Sequence, residues 1–441
     1  MIEYQVNDTA APSARLGSLS ISGKDIDTPT YFPTMTRVSD PEQVTGAVEV
    51  LDGQGGPPLP NTGGFIVESH LAPTVLDGMD RSTQANLNGE LQYTNFYSVI
   101  DLLDKCLIID PNTDRLLYSK YRNNIGDIAD HLPDEFLAVA DALEADDDEE
   151  GSLRHEEAYP RLRETVSRPN LVENMLGLQA EYGPDLFLPP YYPIGLDSYE
   201  KDLEENVEMF RVANSLADRL YDRPVAAVLP VKKSILGVDA DQANGQRQPP
   251  QVWLDIIHTY RELDTDLLFL KATNVDTDPD ELHKTDSEGM FNFFRVFRRF
   301  TDMPTFFLGL DEFAYILMAQ GLDGYSHPLY NSPYRKPMRP GNNNNASHHR
   351  RFIVPRKWGW EKFDQMDSLG CNGPFCEPYN DTDPSDIEFS DQDQLRRRHW
   401  LWLRDEELDQ MYEAIVNDEV RPGLQSICQD SEWKKNFTKF L

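Results

Sequence analysis

The chain has 441 residues, enough for one large domain with additions or two to three ordinary ones, and 76 acidic against 41 basic side chains give a formal charge of -35. So negative a surface normally argues against a polyanionic partner. The acids are spread along the chain, however, and only 14 of the 41 cations are Lys, the balance expected in a high-salt cytoplasm where the Debye length falls to about 3 Å. Four Cys are too few for a disulfide framework and no apolar run reaches the roughly 18 residues of a membrane helix. With no signal peptide ahead of Ile2-Glu3-Tyr4, a soluble cytoplasmic protein with no membrane partner is expected.

Residues 19–26 alternate apolar and polar around a turn and predict a hairpin, which leads into a first strand, Thr28-Pro29-Thr30-Tyr31-Phe32-Pro33. A Gly/Pro-rich loop over 51–63 precedes a second strand, Phe65-Ile66-Val67-Glu68, followed by Ser69-His70-Leu71. A third, Leu107-Ile108-Ile109-Asp110, ends on a carboxylate. The five consecutive acids at 146–150 predict a solvated loop. Leu186-Phe187-Leu188 is a fourth strand, and Ser198 caps a helix that carries acids in its first turns. Residues 225–229 form a fifth strand with Lys232 and Lys233 just past it. Trp253, Ile256, Ile257 and Tyr260 mark a helix, and a sixth strand, 267–270, has Lys271 at its end. After a helix over 291–300, Thr305 to Leu308 is the seventh strand and Gly324-Tyr325 the eighth.

Strands alternating with helices eight times predict an α/β fold of the (β/α)8 TIM-barrel type over residues 1–341, with the chemistry on the loops that follow the strands. Residues 342–441 read as a small C-terminal appendage: a polar loop with an exposed His348-His349 pair, a segment carrying Cys371 and Cys376, and helices over 394–416 and 432–440.

The order of these landmarks resembles the tRNA-guanine transglycosylase superfamily over most of the chain. Thr28-Pro29-Thr30-Tyr31-Phe32-Pro33 is similar to its first strand, and His70-Leu71 to the end of its second. Residues 182–186 and Ser198-Tyr199-Glu200 resemble its fourth strand and following helix. Residues 304–310 and 321–325 resemble its last two strands, and the turn from Arg335 to Arg339-Pro340-Gly341 its phosphate-binding turn, with one extra residue between the arginines.

The resemblance implies exchange of a guanine in a nucleic acid for a free 7-deazaguanine base by double displacement, with two carboxylates at adjacent strand ends and the target base unstacked. It places the acid/base carboxylate at Asp110, although the glycines that follow it in the family are absent. The nucleophile falls on Ser326, with Asp323 the nearby carboxylate. The base-reading position falls on Pro190 or Tyr191, and Lys232 and Lys271 follow strands where a base would bind; Arg335 and Arg339 would hold phosphate. The family's zinc motif is matched by Cys371, Cys376 and His399, with Gly373 at the position of the middle Cys, so a structural zinc site would be one ligand short. No organic cofactor is implied.

The chain ends too soon for the RNA-binding extension of archaeal tRNA enzymes. It looks more like the branch that puts 7-deazaguanines into DNA, found in viruses and genomic modification clusters. DNA is therefore the expected partner and tRNA the alternative, with a homodimer as the assembly. Loss of the nucleophile would instead leave a nucleic-acid-binding subunit.

Overall fold

The computed structural model describes residues 1–11, 13–36, 39–54, 58–76, 96–117, 128–144, 155–238, 241–243, 246–273, 286–310, 313–329, 351–354, 359–363, 366–371 and 373–427. The expected acidic loop at 146–150, Arg335, Arg339, the His348-His349 pair and the helix at 432–440 lie outside them.

Three antiparallel strands open the chain, β1 (Ile2–Ala10), β2 (Ala14–Ile21) and β3 (Lys24–Thr28). They are followed by β4 (Thr30–Met35), β5 (Gly64–Glu68), β6 (Cys106–Asp110), β7 (Leu186–Phe187) and β8 (Ala227–Lys232). A short antiparallel pair, β9 (Asp241–Ala243) and β10 (Gln246–Gln248), precedes β11 (Leu268–Thr273), β12 (Thr305–Leu308) and β13 (Gly324–Pro328); β14 (Arg351–Val354) and β15 (Gly359–Lys362) form a further antiparallel pair.

All eight expected strands form one parallel sheet in the order β7-β6-β5-β4-β13-β12-β11-β8, so the first and last strands in sequence are neighbours. The sheet curls, but its edges β7 and β8 share no continuous ladder. They meet at two single bridges, Phe187 with Val225 and Ile194 with Val231. The expectation of a closed barrel is corrected to that extent, and the cause is local: Pro189, Pro190 and Pro193 follow the two-residue β7 and supply no N–H to a ladder.

Period-two alternation divides the strands. Phe32, Ile66, Ile108, Leu186, Val228, Phe269 and Phe306 fill the interior, sharing one apolar cluster with Ile2, Leu19, Ile21 and Ile26 of the opening sheet. That sheet caps the N-terminal end of the strands. There Ser22 Oγ donates to the Asp185 carbonyl, and Lys24 Nζ donates to the Lys105 carbonyl and pairs with Asp185 Oδ2 at 3.0 Å.

Outward residues such as Tyr31, Tyr325 and Phe307 pack under the helices. The helix Tyr199–Leu220 begins as expected, but Ser198 makes no side-chain cap bond; its hydroxyl donates to Asp202 Oδ2 at 2.6 Å. The long helix of the C-terminal segment packs on the rest of the chain. This helix, Phe389–Val416, lies against the outer face of the sheet: Trp400 Nε1 donates to Tyr31 Oη at 3.2 Å, Tyr315 Oη donates to Glu407 Oε2 at 2.9 Å, and Arg397 pairs with Asp40 at 3.0 Å. Among the described residues, Trp400, Leu401, Leu408 and Met411 belong to the same apolar cluster as the helices that cover the sheet.

Candidate functional site

The polar side chains that matter continue the inward-facing rows past the apolar interior. Gly64, Ile66 and Glu68 alternate on β5, and Cys106, Ile108 and Asp110 on β6; Glu68 and Asp110 are partners in the parallel register, each the last residue of its strand. Phe269 and Lys271 share a row of β11. Two carboxylates and a lysine therefore converge at the C-terminal end of the sheet, where barrels carry their chemistry.

The turn after β6 ties them together. Asn112 adopts a left-handed backbone with φ of 40°, a region that Asn tolerates better than most residues and that concentrates at functional sites. Its backbone N–H donates to Asp110 Oδ1 at 2.9 Å while its side-chain Nδ2 donates to Glu68 Oε1 at 3.0 Å, so one residue holds both carboxylates. Thr113 accepts a hydrogen bond from the Tyr191 backbone N–H at 3.0 Å, and the Tyr191 hydroxyl donates to Asp110 Oδ1 at 2.8 Å. Lys271 Nζ donates to Tyr191 Oη at 2.6 Å and to Asn112 Oδ1 at 2.8 Å, and stands 3.7 Å from Asp110 Oδ2. His70 Nε2 lies 3.7 Å from Glu68 Oε2. Glu68, His70, Asp110, Asn112 and Tyr191 are all buried.

Of the sequence-predicted residues, Asp110, Tyr191 and Lys271 thus belong to one hydrogen-bonded cluster. Lys232, expected just past its strand, is the last residue of β8, and its ammonium sits over the Tyr159 ring, 5.2 Å from the centroid. Ser326 is buried inside β13, where its hydroxyl accepts from the Gly309 N–H at 3.1 Å and anchors the turn after β12.

Asp323 is not at this end. It precedes β13, and Arg15 of the opening sheet grips it through Nε at 2.7 Å and Nη2 at 2.5 Å; Tyr4 Oη and the Thr305 N–H donate to it as well. Its position before the strand turns it toward the capping sheet, so it does not join Asp110 as the second carboxylate. Glu68, His70 and Asn112 were missed. Glu68 was legible as the end of a strand whose alternation points it inward; its partnership with Asp110 depends on register.

Cys371, Cys376 and His399 come together as the spacing suggested, on the loop before the helix Phe389–Val416 and on the helix itself. Their ligand atoms lie within 4.8 Å of one another, and both sulfurs approach His399 Nδ1, at 3.6 and 3.4 Å. A tetrahedral zinc with ordinary bond lengths has S–N edges of about 3.5 Å, so the three residues fit a metal. The Gly373 N–H donates to Cys371 Sγ at 3.2 Å. The Cys371 pKa is drawn down, chiefly by its hydrogen bond with Cys376; burial opposes this and His399 adds to it, while the Cys376 pKa is pushed up. The middle position cannot supply a fourth ligand as packed, because a Cβ on Gly373 would lie 2.3 Å from the Trp402 ring.

No protein-family model matches the chain, and no curated protein matches it.

Proposed function

We propose that this chain is a base-exchange transglycosylase built on a (β/α)8 barrel, replacing guanine in DNA with a 7-deazaguanine base. The observation that carries the reading is the pair of register-matched carboxylates, Glu68 and Asp110, held by Asn112 at the C-terminal ends of adjacent strands. Double displacement at an anomeric carbon requires one carboxylate to attack and another to manage the proton.

Asp110 has one oxygen committed to two donors and the other facing Lys271, which orients it for attack. Its carboxylate forms a bond to C1′ as the bond from C1′ to guanine breaks, and Glu68 gives its proton to the departing base. The incoming base then loses a proton to Glu68 and attacks C1′, releasing Asp110. Tyr191 and Lys271 complete a polar floor on which a flipped base would rest, with the Lys271 cation facing the developing negative charge. This assignment moves the nucleophile from Ser326 to Asp110 and the acid/base role from Asp110 to Glu68, a role that the family resemblance did not imply.

Zinc on Cys371, Cys376 and His399 would supply structural cross-linking between the loop and the long helix, with its fourth ligand from elsewhere. The function is tested by incubating the protein with labelled 7-deazaguanine base and guanine-containing DNA or tRNA in molar salt. Incorporation into DNA that disappears with Asp110→Asn and Glu68→Gln is expected. Incorporation into tRNA alone would move the substrate to the alternative polymer, and none into either would sink the enzyme reading.

A further inference from the structure

At the opposite end of the sheet from Glu68 and Asp110, a cleft of about 620 Å³ opens between the β1–β2 sheet and the helix Asp286–Phe300. Its lining includes Arg15, Arg295, Arg298 and Arg299, with Asp302 the acidic side chain among the lining residues. Four arginines on one concavity are unexpected in a chain of charge -35.

Their surroundings neutralise them only in part. Arg15 is consumed by Asp323, but among the described residues Arg295, Arg298 and Arg299 make no ion pair. Arg298 Nη1 donates to the Met303 carbonyl at 2.8 Å; Arg295 Nη2 donates to Asn292 Oδ1 at 3.3 Å and lies over the Phe291 ring. Arg295 and Arg299 are exposed and one helical turn apart, a spacing at which like charges repel. Burial pulls the Arg298 guanidinium down to about 10, Asp323 and Asp302 oppose this, and Arg15 adds to it. The negative end of the helix accounts for a cation in the last turn, but not for three turned toward one cleft that a fourth enters from the hairpin.

We propose that this cleft binds a compact, multiply charged phosphate ligand, pyrophosphate or the phosphate tail of a nucleotide, with Arg295, Arg298 and Arg299 as its partners. Guanidinium forks match phosphate oxygens, and the volume suits a small ligand. The site is separate from the carboxylate cluster and does not depend on the transglycosylase reading.

The test is calorimetric titration of the full-length protein with pyrophosphate and with a nucleoside triphosphate, beside the double variant R295Q/R299Q. Both changes fall on exposed positions, and circular dichroism checks that the variant is folded. Saturable binding to the wild type that weakens about tenfold or more in the variant, and that falls with added salt, is expected. Absence of saturable binding, equal binding by the variant, or binding of single-stranded DNA that pyrophosphate cannot displace would overturn the proposal.

Discussion

Glu68 and Asp110 sit opposite one another at the ends of adjacent parallel strands, and a single residue, Asn112, hydrogen-bonds to both. On the proposed mechanism they act as one unit. Asp110→Asn and Glu68→Gln should each lower base incorporation by about 10²-fold or more, and the double variant should lose little beyond the worse single, measured as single-turnover incorporation of labelled base. Near-wild-type activity in either variant would remove that residue from the mechanism.

Tyr191 links Asp110 to Lys271 through its hydroxyl. Tyr191→Phe keeps the ring and removes the link, so the rate should drop by about tenfold while the melting temperature changes little; Lys271→Met should cost more, because it also removes the charge. A melting temperature that fell in proportion to activity in both variants would mean that the cluster only holds the fold.

Asp323 should behave differently. Its side chain is 0 % exposed and its ion pair with Arg15 is backed by Tyr4 and Thr305. Asp323→Ala leaves a buried guanidinium without its counter-charge and should destabilise by about 3–5 kcal/mol in denaturant unfolding. Incorporation per folded molecule should be unchanged.

Asp405 predicts a pH dependence. Burial raises its pKa from 3.8 to about 7; the Asn61 N–H and Lys105 oppose the shift, and Asp409 and Glu406 add to it. The folded state therefore holds this proton more tightly than the unfolded chain. The contribution is full below the unfolded value and is lost as pH rises from about 4 to 7, by on the order of 3 kcal/mol. Asp405→Asn keeps an acceptor for the Asn61 N–H and should flatten that part of the stability curve. An unchanged slope would point to other groups.

For the metal cluster, purified protein should carry about one equivalent of zinc, lost in His399→Ala with a lower melting temperature. Gly373→Cys supplies the missing thiol but drives its Cβ into the Trp402 ring, so alone it should destabilise; paired with Trp402→Ala it should tighten the metal. Metal content by mass spectrometry under native conditions reads both.

Much of the fold was legible because a buried parallel strand writes itself as a short β-branched or aromatic run. Thr305 to Leu308 and Leu107 to Asp110 are examples, and each helix between strands carries its own apolar spacing. The helix Val420–Ile427 was missed: Pro422 and Gly423 sit inside it and break the helical signal. The site was half legible. Asp110 announces itself at a strand end, and Lys271, expected at the end of its strand, lies inside β11 on its inward row, whereas the contact between Glu68 and Asn112 follows from register and a left-handed turn. The end of the sheet to which Asp323 belongs was ambiguous by a single residue, since Asp323 lies just ahead of the strand it might have closed. The docking of Trp400 on Tyr31 joins positions 369 apart and no local pattern reports it.

The adjacency of β4 and β13 has a consequence for how the molecule is made. Tyr31 pairs with Tyr325, and Trp400 then covers the same tyrosine from outside. During synthesis the first strand of the sheet therefore waits for about three quarters of the chain to be made before its open edge is matched. The loop that must close is among the longest the topology permits, which predicts slow, late-committing folding with an unpaired edge exposed in the interim. Carboxylates dispersed over the surface would keep such nascent chains apart through that delay, so the same charge that hydrates the finished protein also protects the unfinished one.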